Sequence, residues 1–197
     1  MQYIVGIDEA GRGPLAGPVA VGVVVVADGF DWNLLPGVND SKKLTATKRE
    51  TIYKRTKELR KKGKLTFAVG QVSAAQIDKI GITKAVQLAM NRCISRLEIN
   101  PKNTYIKLDG SLKAPVEFKQ ETIIKGDSKE KCIGLASICA KVTRDEYMMK
   151  QAKKYPEYGF EQHMGYGTKL HREKIAECGY SRIHRVSYCQ NIVLVVH

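Results

Sequence analysis

The chain opens with Tyr3-Ile-Val-Gly-Ile-Asp-Glu-Ala-Gly-Arg-Gly-Pro-Leu-Ala-Gly-Pro18, where an apolar run leads into two carboxylates and a glycine-rich loop. The run 3–7 predicts a β-strand that ends at Asp8 and Glu9. Adjacent carboxylates repel each other, and a divalent cation would offset that repulsion because hard cations prefer carboxylate oxygens. The Gly11-Arg12-Gly13 that follows offers backbone N–H groups and a guanidinium to an anionic substrate. The opening therefore predicts a site for metal ions and phosphate, against the alternative of an ordinary polar turn.

The overall composition predicts one folded domain with a polyanionic partner. The 197 residues include 33 Lys and Arg against 20 Asp and Glu, a formal net charge of +13, and 43% are hydrophobic. That hydrophobic content favours a packed core over disorder, and the positive excess favours nucleic acid or an acidic membrane surface. No apolar run approaches the length of a membrane span and no signal peptide is visible, so we expect a cytoplasmic protein.

The cysteines and histidines do not form a zinc-binding pattern. The five cysteines are odd in number and contain no C-x-x-C pair, which favours reduced thiols over a disulfide framework. The histidines show no clear ligand spacing, and His171, at the start of a predicted helix, is expected at the surface. The Gly11–Gly17 loop departs from the dinucleotide-binding spacing, and no P-loop sequence is present. We therefore reject nicotinamide binding, and nucleoside triphosphate hydrolysis is unsupported.

The order of the predicted strands indicates a mixed sheet. Residues 3–7, 19–27 and 64–72 read as strands, and no helix pattern separates the first two, which predicts an antiparallel opening. Two later strands are predicted at 104–108 and 121–125. Because helices are interleaved with these later strands, the pattern is typical of a mixed-sheet α/β domain.

Four helices are predicted from capping signals and apolar periodicity. The first covers 45–62, with Thr45 as N-cap and Gly63 as C-cap, and the second covers 82–97 with an apolar stripe. The third, at about 129–154, has a face of small residues that would let it lie close against the sheet. The fourth covers 169–178 and is closed by Gly179.

Acidic residues stand at three of the predicted strand ends, namely Asp8 with Glu9, Asp109, and Asp127. Reacting groups gather at strand ends in α/β proteins, so we expect these side chains to converge. Four carboxylates without histidine or cysteine favour Mg²⁺ or Mn²⁺ over zinc. In a basic protein they favour phosphodiester hydrolysis with two cations, one that activates water and one that stabilises the leaving oxygen.

Seven short segments between residues 6 and 188 occur in a distinctive order. They are Gly6-Ile-Asp-Glu-Ala-Gly-Arg-Gly-Pro14, Asn39-Asp-Ser-Lys-Lys-Leu44, Leu108-Asp-Gly110, Lys125-Gly-Asp-Ser128, Ala136-Ser-Ile-Cys-Ala-Lys-Val-Thr-Arg-Asp145, Gly165-Tyr-Gly-Thr168 and His184-Arg-Val-Ser-Tyr188. Together they resemble ribonuclease HII, except that the last segment has Ser-Tyr where the family usually has Ser-Phe. The resemblance covers nearly the whole chain. It implies an α/β fold, a ribonuclease-H-like mixed β-sheet flanked by helices with a C-terminal helical segment.

The resemblance also implies an activity and a set of site residues. The activity is hydrolysis of the RNA strand of RNA–DNA hybrids and incision 5′ of ribonucleotides embedded in duplex DNA, leaving a 3′-hydroxyl and a 5′-phosphate. Its catalytic, metal-binding acids match Asp8, Glu9, Asp109 and Asp127. Gly11, Arg12 and Gly13 match the loop that senses the 2′-hydroxyl through its backbone, and Tyr166 matches the tyrosine that packs on the next sugar and so favours an RNA-to-DNA junction.

Several assignments stay open at the level of sequence. Lys42 and Lys43 could contact phosphate near the scissile bond or lie in an ordinary polar loop. Asp145 competes with Asp127 for the fourth acid, although a local ion pair is the commoner role of a mid-helix Asp. The basic face of the helix at 45–62 is solvated, lines the duplex, or does both.

The expected cofactor is Mg²⁺ or Mn²⁺ in a two-metal site, and the expected partners are RNA–DNA hybrid and ribonucleotide-containing duplex DNA. We expect a monomer, with residues 1–197 as one catalytic domain and about 155–197 as its helical and loop extension. No membrane partner is expected, and the tail 190–197 lacks the paired aromatic residues of a sliding-clamp peptide. Primer processing and ribonucleotide removal are the expected roles.

The sequence also permits two alternative interpretations. One is a non-catalytic hybrid- or duplex-binding module, which would use the same basic surface but has no need of four strand-end carboxylates. The other is the related ribonuclease HIII, which would need a substrate-binding domain before a strand that here begins at residue 3.

Overall fold

The computed structural model describes residues 2–39 and 41–192. Its strands are β1 (Tyr3–Ala10), β2 (Val19–Ala27), β3 (Leu65–Val72), β4 (Thr104–Asp109) and β5 (Lys119–Ile123). Its helices are α1 (Ala46–Lys61), α2 (Ala74–Ile80), α3 (Ile82–Arg96), α4 (Gly126–Lys129), α5 (Lys131–Ala152), α6 (Phe160–His163) and α7 (Lys169–Cys178). The α/β class predicted from the sequence is confirmed.

The strands form one mixed sheet in the order β3-β2-β1-β4-β5. The β1–β2 and β2–β3 pairs are antiparallel, as predicted for the opening of the chain. The β1–β4 and β4–β5 pairs are parallel. Parallel strands end at the same edge of a sheet, so the carboxyl ends of β1, β4 and β5 lie side by side.

Helices cover both faces of the sheet. On one face Val5, Ile7 and Leu108 pack with residues of α3 such as Met90. On the other face β2 and β3 pack against α5 and α1. Because both faces are buried, β2 is apolar along its whole length and does not alternate with polar residues.

Helix α5 lies directly against the backbone of β1. A Cβ atom at Gly6 would collide with the carbonyl group of Cys132, so only glycine allows this approach. A Cβ atom at Gly22 of β2 would likewise collide with the carbonyl group of Ala136, so the small-residue face predicted for this helix has the expected effect. Side chains alternate along a strand, and Asp8, two residues after Gly6, accordingly faces α5 as well.

The predicted ends of α1 and α7 agree closely with the structure. Thr45 caps α1 by accepting a hydrogen bond from the Lys48 amide at 3.3 Å, and Gly63, with φ of +67°, follows its last turn. The C-cap itself is Lys62, one residue earlier than predicted. Helix α7 has the predicted bounds and is followed by Gly179.

The segment around Asp127 differs from the prediction. Strand β5 ends at Ile123, and Asp127 lies in the first turn of the short helix α4, so it is not at a strand end. The predicted single helix 129–154 is wrong in its first turn, because Glu130 is extended and separates α4 from α5. The Glu130 carboxylate pairs with Lys107 of β4 at 2.9 Å, a tertiary contact that the local pattern does not contain.

Two short helices were not predicted from the sequence, and one predicted segment lies mostly outside the described residues. Helix α2, capped by Ser73, and the single turn α6 are both too short for a clear apolar period. Most of the apolar segment 192–196 and of the tail that was weighed as a clamp peptide lies outside the described residues. Within residues 2–39 and 41–192, no helix has the length and apolarity needed to cross a membrane.

Candidate active site

Asp8 and Asp109 lie next to each other on neighbouring parallel strands. Asp109 is the last residue of β4, whereas β1 continues past the predicted 3–7 to Ala10 because residues 8–10 still pair with β2. The register pairs Ile7 with Leu108, so the next residue on each strand is an acid. Asp8 is only 4% exposed. Burial raises the pKa of Asp8 well above its usual value, and the negative charges of Glu9 and Asp109 raise it further. The site therefore concentrates negative charge where water cannot screen it.

Two hydrogen bonds hold the Asp8 carboxylate in place. Its Oδ1 accepts from the Glu9 amide at 2.7 Å, and the Ser137 side chain of α5 also bonds to it and partly opposes the rise in pKa. Ser137 in turn shares a 2.8 Å bond with buried Ser41, in the turn that carries Lys42 and Lys43. Ser137 thus links an acid of the sheet to the lysine turn.

Glu9 has one satisfied and one unsatisfied carboxylate oxygen. Oε1 pairs with Arg12 Nη1 at 3.2 Å. Oε2 is buried and has no hydrogen-bond partner among the described residues. An unsatisfied buried acceptor is costly and calls for an explanation such as an ion.

Asp109 and Asp127 are connected through the backbone of Gly126. Asp109 Oδ1 accepts from the Gly126 amide at 2.7 Å, which fixes the start of α4 beside the end of β4. Asp127 is 5% exposed, and its Oδ2 lies 3.9 Å from Lys42 Nζ. The third acidic position is thus brought to the same edge by a hydrogen bond from a helix start.

These acids fit a hard divalent cation in chemistry, although they do not enclose one. Within residues 2–39 and 41–192, no group of three or more acidic, histidine or cysteine side chains is arranged so that it could hold a metal ion. The orphaned Glu9 oxygen and the repulsion on buried Asp8 are both features that a cation would relieve. The donors are all oxygens, which suits Mg²⁺ or Mn²⁺ and not zinc.

Two buried arginines hold the glycine-rich loop 11–18 from behind. Arg185 donates to the carbonyl oxygens of Gly11, Arg12 and Gly17 at 2.7, 2.8 and 3.0 Å. Arg144 of α5 donates in the same way to two further carbonyls of the loop, those of Pro18 at 3.0 Å and Ala16 at 3.1 Å. The accepting groups are backbone dipoles, so the loop itself solvates most of both guanidiniums, although Arg144 Nη1 is buried without a hydrogen-bond partner among the described residues.

This arrangement determines where the amides of the loop point. In a trans peptide the N–H group points opposite to the carbonyl that precedes it. Because the Gly11 and Arg12 carbonyls face Arg185, the amides of Arg12 and Gly13 face away from it. Gly11 has φ of +90°, and a Cβ there would collide with the Arg144 side chain, so glycine is required. The loop can therefore offer two adjacent amides to an oxygen of a ligand.

Tyr166 lies beside this loop and is 45% exposed. The amides of Leu15 and Ala16 both donate to the Gly165 carbonyl, at 2.8 and 3.2 Å, so the two loops are bonded together. The Tyr166 ring also lies 5.8 Å from the Arg144 guanidinium and 6.0 Å from Lys141 Nζ. An exposed ring held this way can stack on a sugar or base.

The remaining candidates are on the surface. Lys42 and Lys43 lie in the 3₁₀ turn Ser41–Lys43 and are exposed, which suits contact with phosphate. Asp145 pairs with Lys141 at 2.8 Å one turn away on α5, the local ion pair that its position favoured.

Sequence reasoning missed four residues that shape this site, namely Arg144, Arg185, Ser137 and His184. Arg144 and Ser137 could have been found from the sequence. Both are polar residues at helical spacing within a stretch of small apolar residues, so they share the buried face of the helix and not its solvent face. The expectation that His171 lies at the surface is wrong, because it is fully buried against His184.

The buried histidines make stability depend on pH. Burial lowers the pKa of His171 and of His184 to about 4, against about 6.5 in an unfolded chain. Between these values the unfolded state binds more protons, so the histidine contribution is complete above pH 6.5 and is lost as pH falls. We expect the two histidines to lower the melting temperature by roughly 5 °C or more from pH 7 to pH 5, a fall that protonation of Asp8, whose pKa is raised, partly offsets. Circular dichroism melts should show a smaller fall for His184→Leu, and equal falls would contradict the assignment.

The comparisons with known proteins agree with this geometry. The family model of ribonuclease HII matches residues 5–191. The ribonuclease HII of Bacillus thuringiensis (strain Al Hakam) is 47% identical over 188 residues, which cover 95% of this chain and 69% of the relative.

Solved structures with the same fold include two that exceed one quarter sequence identity. The ribonuclease H2 of Pyrococcus horikoshii OT3 superposes with a TM-score of 0.75, is 27% identical, and matches over 97% of each chain. The ribonuclease HII in a complex with PCNA from Archaeoglobus fulgidus superposes with a TM-score of 0.76 and is 26% identical. That match covers 95% of this chain and 94% of the other.

Proposed function

The chain belongs to the ribonuclease HII family, whose members cleave the RNA of RNA–DNA hybrids, and from that premise we propose that it also incises duplex DNA 5′ of an embedded ribonucleotide. The products would be a 3′-hydroxyl and a 5′-phosphate. Membership in a family of ribonucleases H argues against the non-catalytic binding module. The roles proposed with this activity are primer processing and removal of ribonucleotides from DNA.

The observation that carries the proposal is the bonding of the two loops beside the acids. The Gly165 carbonyl accepts from the amides of Leu15 and Ala16. These bonds join the loop that contains Gly11–Gly13 to the loop that contains Tyr166. A 2′-hydroxyl is the only group that distinguishes RNA from DNA at one position. Outward-facing amides can bond to that hydroxyl while the Tyr166 ring packs on the following sugar, so one ribonucleotide suffices for recognition.

Ribonucleases H depend on divalent metal ions, and we assign Asp8, Glu9, Asp109 and Asp127 as the residues that hold Mg²⁺ or Mn²⁺. A bound pair of cations would supply Lewis-acid activation of water and neutralise the leaving oxygen. Asp8 and Asp109 present their carboxylates from neighbouring strands, and Glu9 contributes the oxygen that lacks a partner. No side chain acts as a covalent nucleophile in this mechanism.

The lysine turn would hold the phosphate backbone near the scissile bond. Lys42 Nζ lies 3.9 Å from Asp127 Oδ2, so its charge is at the acidic edge. The net charge of +13 supports binding of hybrid and of ribonucleotide-containing duplex DNA through their phosphates. We assign residues 1–197 to one catalytic domain, because Leu15 and Ala16 pack in one cluster with residues of α6 and α7. That this chain lacks a clamp-binding peptide stays a prediction.

A single gel tests the proposed incision. Labelled DNA duplex with one ribonucleotide is incubated with the protein and Mg²⁺ beside an all-DNA duplex and an RNA–DNA hybrid. We expect a cut on the 5′ side of the ribonucleotide, no cut in the all-DNA duplex, and loss of cleavage with a chelator. Cleavage of the hybrid without incision at the lone ribonucleotide would show that the proposal is wrong while the ribonuclease activity stands.

A further inference from the structure

A chain of hydrogen bonds through two buried histidines connects the C-terminal segment to Tyr166. The Ser181 amide donates to His184 Nδ1 at 2.8 Å. His184 Nε2 and His171 Nε2 are 3.0 Å apart, and His171 Nδ1 lies 2.9 Å from the Tyr166 carbonyl oxygen. Both rings are buried, with 0% exposure for His171 and 3% for His184.

Only one arrangement of protons satisfies every bond in this chain. A backbone amide is always a donor, so His184 Nδ1 must accept and the His184 proton must be on Nε2. That proton is donated to His171 Nε2, which must therefore accept. The remaining proton of His171 is then on Nδ1 and is donated to the Tyr166 carbonyl. Both rings are therefore neutral and each has one fixed tautomer. Every hydrogen bond from the Ser181 amide to the Tyr166 carbonyl is donated in the same direction along the chain.

The surrounding aromatic residues hold the two rings at this separation. His163 stacks on His171 with centroids 4.3 Å apart, and Phe160 meets His171 edge-on at 5.5 Å. The Tyr158 ring lies 4.8 Å from His184. Rings packed this closely have little rotational freedom, so the histidine contact is a rigid spacer and not a mobile surface pair.

Each end of the chain leads to one of the two loops that face the substrate. At one end His171 shares the Tyr166 carbonyl with the Thr168 amide, which donates at 2.8 Å. At the other end His184 forms a β-bridge with Ala16 and directly precedes Arg185, the residue that holds the Gly11 and Arg12 carbonyls. The histidine pair therefore lies between the tyrosine loop and the 2′-hydroxyl loop.

We propose that His171 and His184 are positioning residues that fix the distance between Tyr166 and the Gly11–Gly13 loop, and so set the preference for an RNA-to-DNA junction. This inference rests on the proposed function, because it assumes that Tyr166 and the loop read adjacent sugars. A duplex with one ribonucleotide offers only one 2′-hydroxyl, so the loop must contact that hydroxyl while Tyr166 contacts the next sugar. A continuous RNA strand offers further 2′-hydroxyls and depends less on that register.

The matched test uses two replacements of similar size at one position. His184→Gln keeps an N–H group that can donate to His171 Nε2, whereas His184→Leu has no donor. The readout is the ratio of kcat/KM on a single-ribonucleotide duplex to kcat/KM on an all-RNA hybrid. We expect His184→Leu to lower this ratio by about tenfold or more, because small misplacements of binding groups have large kinetic effects, and His184→Gln to stay within about threefold of wild type.

Two further variants separate positioning from general destabilisation. Ile175→Ala removes a fully buried side chain from the same cluster without touching the histidine bonds, so its ratio should stay at the wild-type value despite a lower melting temperature. Tyr166→Ala should lower the ratio at least as much as His184→Leu. If His184→Leu does not fold, the comparison of His184→Gln with His171→Leu gives the same test from the other ring.

The outcomes distinguish this inference from the proposed function. A low ratio for Tyr166→Ala with a wild-type ratio for folded His184→Leu overturns the positioning role and leaves the proposed function intact. Equal losses in His184→Leu and Ile175→Ala overturn it as well, since packing alone would then explain the change. A ratio unchanged in Tyr166→Ala removes that residue from sugar recognition, so the inference then fails, while the proposed incision is decided separately by the gel assay.

Discussion

Replacement of Asp8 by Asn is expected to lower hybrid cleavage by at least about 10³-fold, because under the proposed assignment the reaction loses a charged metal ligand. The same replacement should leave the metal-free protein at least as stable as wild type. Asn Oδ1 can still accept from the Glu9 amide, which now bonds to Asp8 at 2.7 Å. What is removed is a buried negative charge that repels Glu9 and Asp109.

Such an opposition between activity and stability would identify Asp8 as a carboxylate that serves function and not stability. A buried charge without a counter-ion destabilises the folded state, and a neutral amide of the same shape relieves that cost. Because a cation stabilises only the folded protein that binds it, Mg²⁺ should raise the melting temperature of wild type. The increase should be smaller for Asp8→Asn, which has lost one of the oxygen donors with full charge.

The measurement combines single-turnover cleavage of an RNA–DNA hybrid with thermal melts at increasing Mg²⁺. Asp31→Asn is the matched control, because Asp31 caps a 3₁₀ turn through an oxygen that Asn also has. The control should keep wild-type cleavage. Cleavage by Asp8→Asn within tenfold of wild type, or a melting temperature several degrees lower without metal, would contradict the assignment.

Replacement of Arg185 by Met is expected to have the second largest effect. Arg185 is fully buried and donates to three carbonyl oxygens of the loop. Burial and the charge of Arg144 lower the pKa of Arg185 to about 10, so it is still protonated at neutral pH. A Met side chain fills similar space but leaves those carbonyls without a donor, and each unsatisfied buried group costs about 1–3 kcal/mol. We expect the free energy of unfolding to fall by about 3–5 kcal/mol, because three carbonyl oxygens lose their donor.

The loss should affect substrate choice as well as stability. Without Arg185 the Gly11 and Arg12 carbonyls can turn outward, and the amides of Arg12 and Gly13 then lose their direction. Incision at a single ribonucleotide should therefore decrease more than cleavage of a continuous hybrid. Arg182→Met, on an exposed side chain three residues earlier, is the control and should change neither quantity.

Urea unfolding and the two cleavage rates provide the readouts for Arg185→Met. Arg185→Lys is informative as an intermediate, because a single ammonium cannot reproduce the planar set of donors. If Arg185→Met unfolds at the wild-type urea concentration, the arginine is not the support of the loop.

Local patterns predicted most of the elements and part of the site. Thr45 and Gly63 bounded α1 because capping depends on residues within one turn. Asp8, Glu9 and Asp109 could be predicted as neighbours because apolar strands of an α/β sheet end at one edge. Asp127 was predicted at a strand end and lies in α4, because the position of β5 depends on tertiary pairing with β4.

The sequence by itself therefore determined most of the strands, the acids Asp8, Glu9 and Asp109 and the family resemblance, since these depend on short-range periodicity and on ordered motifs. Tertiary structure alone decided how the loops are supported. Arg185 is 174 positions from Gly11 and bonds to its carbonyl, and His171 and His184 meet across a 13-residue separation. From the sequence alone, polar residues such as these are expected at the surface. Only the folded chain shows that their donors are needed to satisfy buried carbonyls, because that requirement arises when the two loops are packed together.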